Sequence, residues 1–346
     1  MKRLFNILLY LVILTIMVLA PLEILVRIWG YSTIYLYDPI YMPCPLCQEI
    51  PFVLQPNLRD ARAHGNIRVN TDALGLRSPT PGRTYPPKTK NDYRIVIMGD
   101  SVTFGVGVPV ANIYPEVLQD LLNQDQSGCR VQVFNFGVSS YSIKEMALTL
   151  KHRVPAVQPD LVIMALVFGD FDLARTPGVD KWGYNTRRNG VGFLNNYPTI
   201  KLILRNVHLS YLLRDIMQRS VQKRRLSVAK APGVLPDWVA RSYPYALDFQ
   251  KTAEALGYRS LILLLPSVEG VGGQFAETIE HFKADRITYF DISPITRLFT
   301  PKEFHASRYD WHPSAAVHHK MAEMLGTYIK ENFLPARCGG QQQGSS

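Results

Sequence analysis

The sequence predicts an α/β fold in which helices cover both faces of a parallel sheet. Short runs of β-branched and apolar residues alternate along the chain with segments of helical periodicity, which is typical of parallel sheets. The apolar character of these runs is almost continuous, which indicates strands that are buried on both faces. At 346 residues, 47% of them hydrophobic, the chain can bury a large core and carry an additional segment.

The individual elements follow from local signals. A first helix is indicated by apolar residues that recur on one face between Ile113 and Leu122. A second begins at Ser142, because Ser142 and Glu145 have the spacing of a capping box. A last helix follows Pro313 and runs toward Asn332. The predicted strands lie within residues 94–98, 131–134, 161–167, 261–265 and 287–290.

Residues 1–30 are predicted to be a membrane anchor. Residues 4–20 are almost wholly apolar, and about 20 apolar residues suffice to span a bilayer. Lys2 and Arg3 favour a cytoplasmic amino terminus, which would place the rest of the chain on the periplasmic side of an inner membrane. A removed signal peptide is the alternative, although Pro21 disfavours cleavage after Ala20.

Three further segments are predicted. Residues 31–92 read as an irregular lead-in with a β-hairpin, and residues 93–334 as the main domain with an insert at 173–246. The insert forms either a lid or substrate wall, or only packing. Its basic, amphipathic part at 210–226 either lies on a membrane surface or packs in the core. Residues 335–346 are expected to be a disordered tail.

Charge and cysteine usage narrow the classes of partner. The net charge of +10 suits a surface facing anionic lipid or acidic glycans, or simply solvated helix faces. Zinc-finger spacing and the aromatic and basic runs of RNA-binding modules are missing, so no nucleic-acid partner is predicted. Cys44 and Cys47 form a C-x-x-C pair, for which a local disulfide is a simpler interpretation than a metal site.

A serine nucleophile is predicted at Ser101. It follows the apolar strand at Gly99-Asp100-Ser101, which places its hydroxyl at the carboxyl edge of the sheet, where α/β folds bind ligands. A serine hydroxyl needs a neighbouring base, itself oriented by an acid. His312 and Asp310 supply these groups on one loop near the end of the chain. Asp100 is assigned to fixing the turn.

These two motifs together resemble the SGNH, or GDSL-type, hydrolase superfamily, from roughly Tyr93 to Asn332. The resemblance implies a three-layer, flavodoxin-like fold and a Ser101, His312 and Asp310 triad that cleaves an acyl ester without a cofactor. The expected acyl group is acetyl, carried by a small molecule, a lipid or a glycan. Residues 70–77 look like the turn that precedes the catalytic domain in membrane-anchored bacterial members, and we assign them a structural role.

The resemblance also implies an oxyanion site, in which this chain departs from the family pattern. The amides of Ser101 and Gly137 would be two donors, since Asn135-Phe136-Gly137 matches the family's second block. The third block carries Gly-x-Asn-Asp in the family but Phe168-Gly169-Asp170-Phe171-Asp172 here. Asp170 could donate only if it were protonated. The acid also stands two residues before His312, where many members have it three before.

Two alternatives to an esterase remain open at this point. An O-acyltransferase acting on an envelope polysaccharide or glycan would use the same triad and pass the acyl group to a sugar hydroxyl. A catalytically degenerate envelope binding protein would keep the fold, and the missing asparagine favours it. His305, His318 and His319 are interpreted as surface histidines without a role.

Overall fold

The protein is represented by a computed structural model, in which the described residues fall into two compact units. The first unit is drawn from Met1–Leu36 and Gly190–Lys230, and the second from Tyr37–Asn189 and Ala231–Ser346. The structure describes residues 2–31, 35–45, 47–64, 67–124, 128–174, 177–187, 197–213, 215–216, 236–267 and 274–338. Most of the amphipathic stretch predicted at 210–226 lies outside the described residues.

The strands and helices are numbered in chain order. The strands are β1 Tyr41–Met42, β2 Val53–Leu54, β3 Ala61–Ala63, β4 Ile67–Thr71, β5 Arg77–Ser78, β6 Asp92–Gly99, β7 Arg130–Gly137, β8 Leu161–Leu166, β9 Pro177–Val179, β10 Asn185–Arg187, β11 Arg259–Leu264, β12 Tyr289–Asp291, β13 His305–Ser307 and β14 Asp310–Pro313. The helices are α1 Lys2–Trp29, α2 Ser101–Phe104, α3 Tyr114–Asn123, α4 Ile143–His152, α5 Pro198–Leu204, α6 Asp237–Ser242, α7 Pro244–Ala255, α8 Ala276–Ala284, α9 Pro301–Phe304 and α10 Ala315–Asn332.

The second unit is built on a five-stranded sheet in the order β12-β11-β8-β6-β7. Every pair of neighbours in this sheet is parallel. Counted from β7, the strands follow the flavodoxin-like order 2-1-3-4-5, whose switch point lies between β6 and β8. The predicted parallel α/β sheet is confirmed, and α2 begins at the carboxyl end of the strand beside that switch point.

Side chains alternate between the two faces of β6 and build two cores. Val96 and Met98 pack with α4, α7 and α8 on one face, through residues such as Phe249 and Phe282. Ile95 and Ile97 pack with α3 and α10 on the other face. Because both faces are covered, the sheet strands show the continuous apolar pattern that indicated them. The capping box predicted at Ser142 and Glu145 is present at the start of α4.

The lead-in forms two small antiparallel sheets, β1-β2 and β3-β4-β5. Between β4 and β5, Asp72 Oδ1 accepts hydrogen bonds from the N–H groups of Leu74 and Leu76, both at 2.8 Å. Gly75 completes this turn at φ +73°, where a Cβ would lie 2.5 Å from Leu54 O. The turn delivers Arg77 into β5 with its side chain buried.

The first unit contains α1, α5 and the residues that follow α5. Glu23 accepts hydrogen bonds from Arg27 Nε at 2.7 Å and from the N–H groups of His208 and Leu209 at 2.9 and 2.7 Å. Glu23 and Arg27 therefore form an i,i+4 ion pair on α1.

No helix in the described part of the chain combines the length and apolar character needed to cross a membrane. The membrane anchor predicted for residues 1–30, and with it the predicted bilayer contact, is not supported. The last turns of α1 carry the charged side chains of Glu23 and Arg27, which bind one another and the backbone of the insert.

The four cysteines form two disulfides. Cys44 and Cys47 are bonded, as the local interpretation predicted. Cys129 and Cys338, which the sequence shows as isolated residues, form a second bond across 209 positions. The disordered tail was predicted from residue 335, whereas Ala336–Cys338 form a 3-10 turn with Cys338 buried. The disulfide fixes this turn, and the rest of the predicted tail lies outside the described residues.

Candidate active site

The nucleophile candidate stands at the junction of β6 and α2. Ser101 is the first residue of α2, so its N–H has no acceptor within the helix. Asp100 caps this helix by accepting a hydrogen bond from Val102 N at 2.8 Å. Asp100 Oδ2 also lies 3.2 Å from Ser101 Oγ. The structure thus gives Asp100 the turn-fixing role that the sequence suggested.

The short hairpin of β13 and β14 brings the predicted acid and base to this serine. His312 Nε2 lies 2.9 Å from Ser101 Oγ, and His312 Nδ1 lies 2.6 Å from Asp310 Oδ1. The same Asp310 oxygen accepts from His312 N at 3.1 Å, so the carboxylate holds both ring and backbone. Residues that are 211 positions apart in sequence therefore form one hydrogen-bonded row of Ser101, His312 and Asp310.

Burial and neighbouring charge shift the pKa of Asp310 in opposite directions. Its residue is 2% exposed, and this burial alone would raise the pKa of the carboxyl. The hydrogen bonds and charge of His312, helped by the charge of His64, outweigh burial and leave the pKa below its usual value. Asp310 is therefore an ionised acceptor at neutral pH, which suits a group that orients an imidazole.

A glycine closes the pocket around the carboxylate. Gly107 adopts φ +74°, and a Cβ at this position would lie 2.6 Å from Asp310 Oδ2 and 2.9 Å from Ala306 Cβ. Asp310 Oδ2 has no hydrogen-bond partner within the described ranges, so packing against Gly107 limits where this oxygen can lie. The conformation and the close contact both require glycine.

Gly137, the predicted second oxyanion donor, is placed differently by the structure. Its N–H donates to Asn135 Oδ1 at 2.9 Å, so the predicted donor is already engaged. A Cβ on Gly137 would collide with the backbone of Thr103 and Phe104 in α2. Gly137 therefore lets β7 approach the nucleophile helix, and Asn135 Nδ2 reinforces this contact by donating to Thr103 O at 3.0 Å.

The turn that follows β7, at residues 138–140, lies beside the nucleophile strand. Val138 N donates to Gly99 O at 3.0 Å, which places this turn against the end of the nucleophile strand. Ser140 adopts φ +77°, a conformation that is uncommon for a residue other than glycine. Asn185 Nδ2 contacts Ser140 Oγ at 2.9 Å from the β9-β10 hairpin. Neither Ser140 nor Asn185 was predicted, because no sequence signal marks a serine for positive φ.

Asp170 is fully buried in the 3-10 turn Phe168–Phe171 that follows β8. Its Oδ2 accepts a hydrogen bond from Val167 N at 2.9 Å. In this contact Oδ2 acts as an acceptor and ties the side chain to the start of its own turn. The structure thus supports a local structural role for this residue.

His318 is fully buried, which corrects its interpretation as a surface histidine. It lies on the inner face of α10, where Tyr114 N donates to its Nδ1 at 3.1 Å. Tyr114 OH in turn lies 2.8 Å from Thr103 Oγ1 in α2. This interior position follows from the helical register, because Val317, Met321 and Leu325 lie on the same buried face of α10.

Comparison with known proteins finds a family match for this chain. A family model described as GDSL-like Lipase/Acylhydrolase family matches residues 97–320, which include every member of the hydrogen-bonded row. No curated protein sequence matches the chain significantly.

Several solved structures are similar to this chain at low sequence identity. A protein described as lipolytic and of the G-D-S-L family, from Desulfitobacterium hafniense, is 16% identical over 68% of this chain and 98% of its own, with a TM-score of 0.41. The lipase/acylhydrolase from Enterococcus faecalis is 14% identical over 68% and 95%, with a TM-score of 0.38. An acetylxylan esterase from Geobacillus stearothermophilus, solved as a catalytic mutant, is 13% identical over 73% and 97%, with a TM-score of 0.39.

Proposed function

The chain belongs to the GDSL-like lipase/acylhydrolase family, and from this premise we propose that it is a serine esterase whose triad is Ser101, His312 and Asp310. Membership makes the protein a hydrolase of ester bonds. The observation that carries the triad is the continuous hydrogen-bonded row from Ser101 Oγ through His312 to Asp310 Oδ1, with contacts of 2.9 and 2.6 Å.

In the proposed reaction His312 takes a proton from Ser101, while Asp310 holds the imidazole in place. Asp310 accepts from His312 Nδ1–H, which leaves Nε2 free to take the Ser101 proton while Oγ attacks the ester carbonyl. His312 then gives that proton to the departing alcohol as the carbon–oxygen bond breaks. Water, deprotonated by His312, then attacks the acyl-enzyme. His312 returns this proton to Ser101 Oγ as the acyl–oxygen bond breaks, which releases the carboxylic acid and regenerates the free serine.

The developing oxyanion needs preorganised donors. We assign the first to Ser101 N–H and the second to the backbone of the turn at 139–140, because the N–H groups of Gly137 and Val138 are already bonded to Asn135 and Gly99. A single oxyanion donor contributes about 3 kcal/mol to transition-state stabilisation, so two backbone donors can sustain turnover without the family's asparagine.

The compartment and the acyl group are parts of the same proposal. Two disulfides favour an oxidising compartment, which supports the predicted extracytoplasmic location. We retain acetyl as the acyl group, as the family resemblance led us to expect. An acyl acceptor other than water would make the enzyme a transferase, and no contact among the described residues favours that alternative.

Hydrolysis of p-nitrophenyl acetate, butyrate and octanoate by the purified chain tests this function. We expect turnover that is fastest with acetate and that falls at least about 10³-fold in Ser101→Ala and His312→Ala. A folded wild-type protein without esterase activity, or a Ser101→Ala variant with full activity, would refute the proposed mechanism. Adding a sugar acceptor and analysing products by mass spectrometry separates hydrolysis from transfer.

A further inference from the structure

A buried arginine of the lead-in reaches the end of the nucleophile helix. Arg77 is 2% exposed. Its Nη1 donates to Phe104 O and Gly105 O at 2.5 and 2.7 Å, and its Nη2 donates to Val108 O at 2.6 Å. The guanidinium also lies over the Phe104 ring, 5.0 Å from its centroid. One side chain therefore binds three carbonyls that belong to α2 and the loop following it.

Phe104 O is the last carbonyl of α2, whereas Gly105 O and Val108 O belong to the loop, in which Gly105 O also accepts from Val108 N at 3.2 Å. The last carbonyls of any helix lack intrahelical donors and carry the negative end of its dipole. A delocalised cation with a planar fork of N–H groups binds several carbonyls at once, whereas an ammonium group is a single point charge. Gly105 gives the guanidinium room, since a Cβ there would lie 2.8 Å from Arg77 Nη1.

The loop that Arg77 binds touches both ends of the triad. Gly105 N and Val106 N each donate to Ser101 O, at 3.0 Å, which ties the loop to the nucleophile. Gly107, which directly follows Val106, packs against the Asp310 carboxylate. A shift of this loop would therefore move Ser101 and the wall of the Asp310 pocket together.

We propose that Arg77 is a positioning residue, through which the lead-in sets the alignment of Ser101 with His312 and Asp310. Arg77 lies outside the 97–320 region of the family match, so the lead-in completes a site that the family region does not close alone. The Asp72 turn and Gly75 fix the strand that delivers it. This inference rests on the proposed serine mechanism and adds a segment and a residue to it.

The chain offers a matched control in Arg94. This arginine is also buried, at 3% exposure, and its Nη1 and Nη2 donate to the carbonyls of Val157 and Pro86 at 2.9 and 2.7 Å. It lies near the amino end of β6, at the opposite edge of the sheet from Ser101. Replacing Arg94 thus removes the same kind of buried contact without touching the loop at 105–108.

The test compares Arg77→Lys with Arg94→Lys in the full chain, by thermal unfolding, by the rate of fluorophosphonate labelling, and by kcat and KM for p-nitrophenyl acetate. We expect both variants to lose thermal stability. Only Arg77→Lys should lower kcat and the labelling rate, by about 10- to 100-fold with KM nearly unchanged, because small misplacements of catalytic groups have effects of this size. Labelling and turnover of Arg77→Lys at the level of Arg94→Lys would overturn the inference.

Guanidinium rescue provides a second readout that a purely structural role would not move. In a folded Arg77→Ala variant, millimolar guanidinium chloride should restore part of the lost kcat, while the matching Arg94→Ala variant should not respond. Normal turnover of Arg77→Ala, with no response to guanidinium, would again overturn the inference. A wild-type chain that neither labels nor turns over would instead refute the underlying serine mechanism, and the two failures are therefore distinct.

Discussion

At the residue scale, the proposed mechanism depends on how tightly Asp310 is held. Asp310 Oδ1 binds the ring and the backbone N–H of His312, and Oδ2 packs against Gly107. The imidazole is consequently fixed by one carboxylate in the tautomer that leaves Nε2 as an acceptor for Ser101. Any change that moves the carboxylate should therefore reduce turnover before it reduces binding.

Gly107→Ala is predicted to lower kcat by about tenfold and to cost about 1–2 kcal/mol of stability. The stability cost arises from φ +74°, which disfavours a Cβ, and the kinetic cost from the 2.6 Å approach to Asp310 Oδ2. Enzyme kinetics and chemical denaturation measure the two effects separately. Gly257→Ala is the control, because Gly257 has φ +75° but open space around its Cβ position. It should lose similar stability and keep full kcat; equal kcat in both variants would contradict the assigned role of Gly107.

Sequence reasoning reached the row of Ser101, His312 and Asp310 because its members stand in short motifs at strand ends. It assigned Gly137 to the oxyanion site because glycine after a strand suggested an accessible amide. The structure instead uses that glycine for helix contact, with its N–H bonded to Asn135. Such a choice depends on how close two elements pack, which a single sequence does not encode locally.

At the element scale, α2 is a four-residue helix that its neighbours hold on several sides. Asp100 caps its start, Arg77 binds its last carbonyl, and Asn135 binds Thr103 O. The Thr103 side chain meets Tyr114 OH of α3. A helix of this length has little stability of its own, so these contacts set its position.

His318 links α10 to α3 at this same place, and it predicts a dependence of stability on pH. Burial, followed by the charges of Arg77, His312 and His319, lowers the pKa of His318 to about 3. The unfolded chain takes up a proton near pH 6.5, whereas the folded chain does not. The free energy of unfolding should therefore fall as pH drops below about 6.5, by roughly 1 kcal/mol per pH unit from this group.

Chemical denaturation of the wild type and of His318→Asn between pH 7 and 4.5 measures this effect. The variant keeps an acceptor for Tyr114 N and lacks the titrating ring. We expect the difference in stability between the two proteins to shrink steadily as pH falls. Parallel stability curves over this range would show that His318 titrates normally in the folded state.

At the scale of the whole molecule, residues distant in sequence converge on one edge of the sheet. A site at the carboxyl edge of the sheet was predictable, since alternating strands and helices imply a parallel sheet that binds ligands at this edge. The Cys129 and Cys338 bond was not, because pairing across 209 positions depends on where α10 ends relative to β7. The predicted anchor rested on the length of the apolar run and the basic residues before it, and no described helix meets the requirements for a membrane span.

The long-range disulfide should dominate the covalent contribution to stability. Replacing Cys129 and Cys338 by serine is predicted to lower the free energy of unfolding by about 2–5 kcal/mol, since the bond closes a very long loop in the unfolded chain. The matched double variant of Cys44 and Cys47 opens a loop with a separation of only three and should lose less. Chemical denaturation of both, with esterase activity as a check on the native fold, tests this. Equal losses would contradict the loop-length argument.

The central claim is that Ser101 is a nucleophile activated by His312. The most direct measurement is labelling of the full chain with a fluorophosphonate probe, followed by mass spectrometry of the modified peptide. We predict one adduct, on Ser101, that disappears in Ser101→Ala and His312→Ala and forms more slowly in Asp310→Asn. A folded wild-type protein that takes up no label, or an adduct on another residue that survives in Ser101→Ala, would contradict the account.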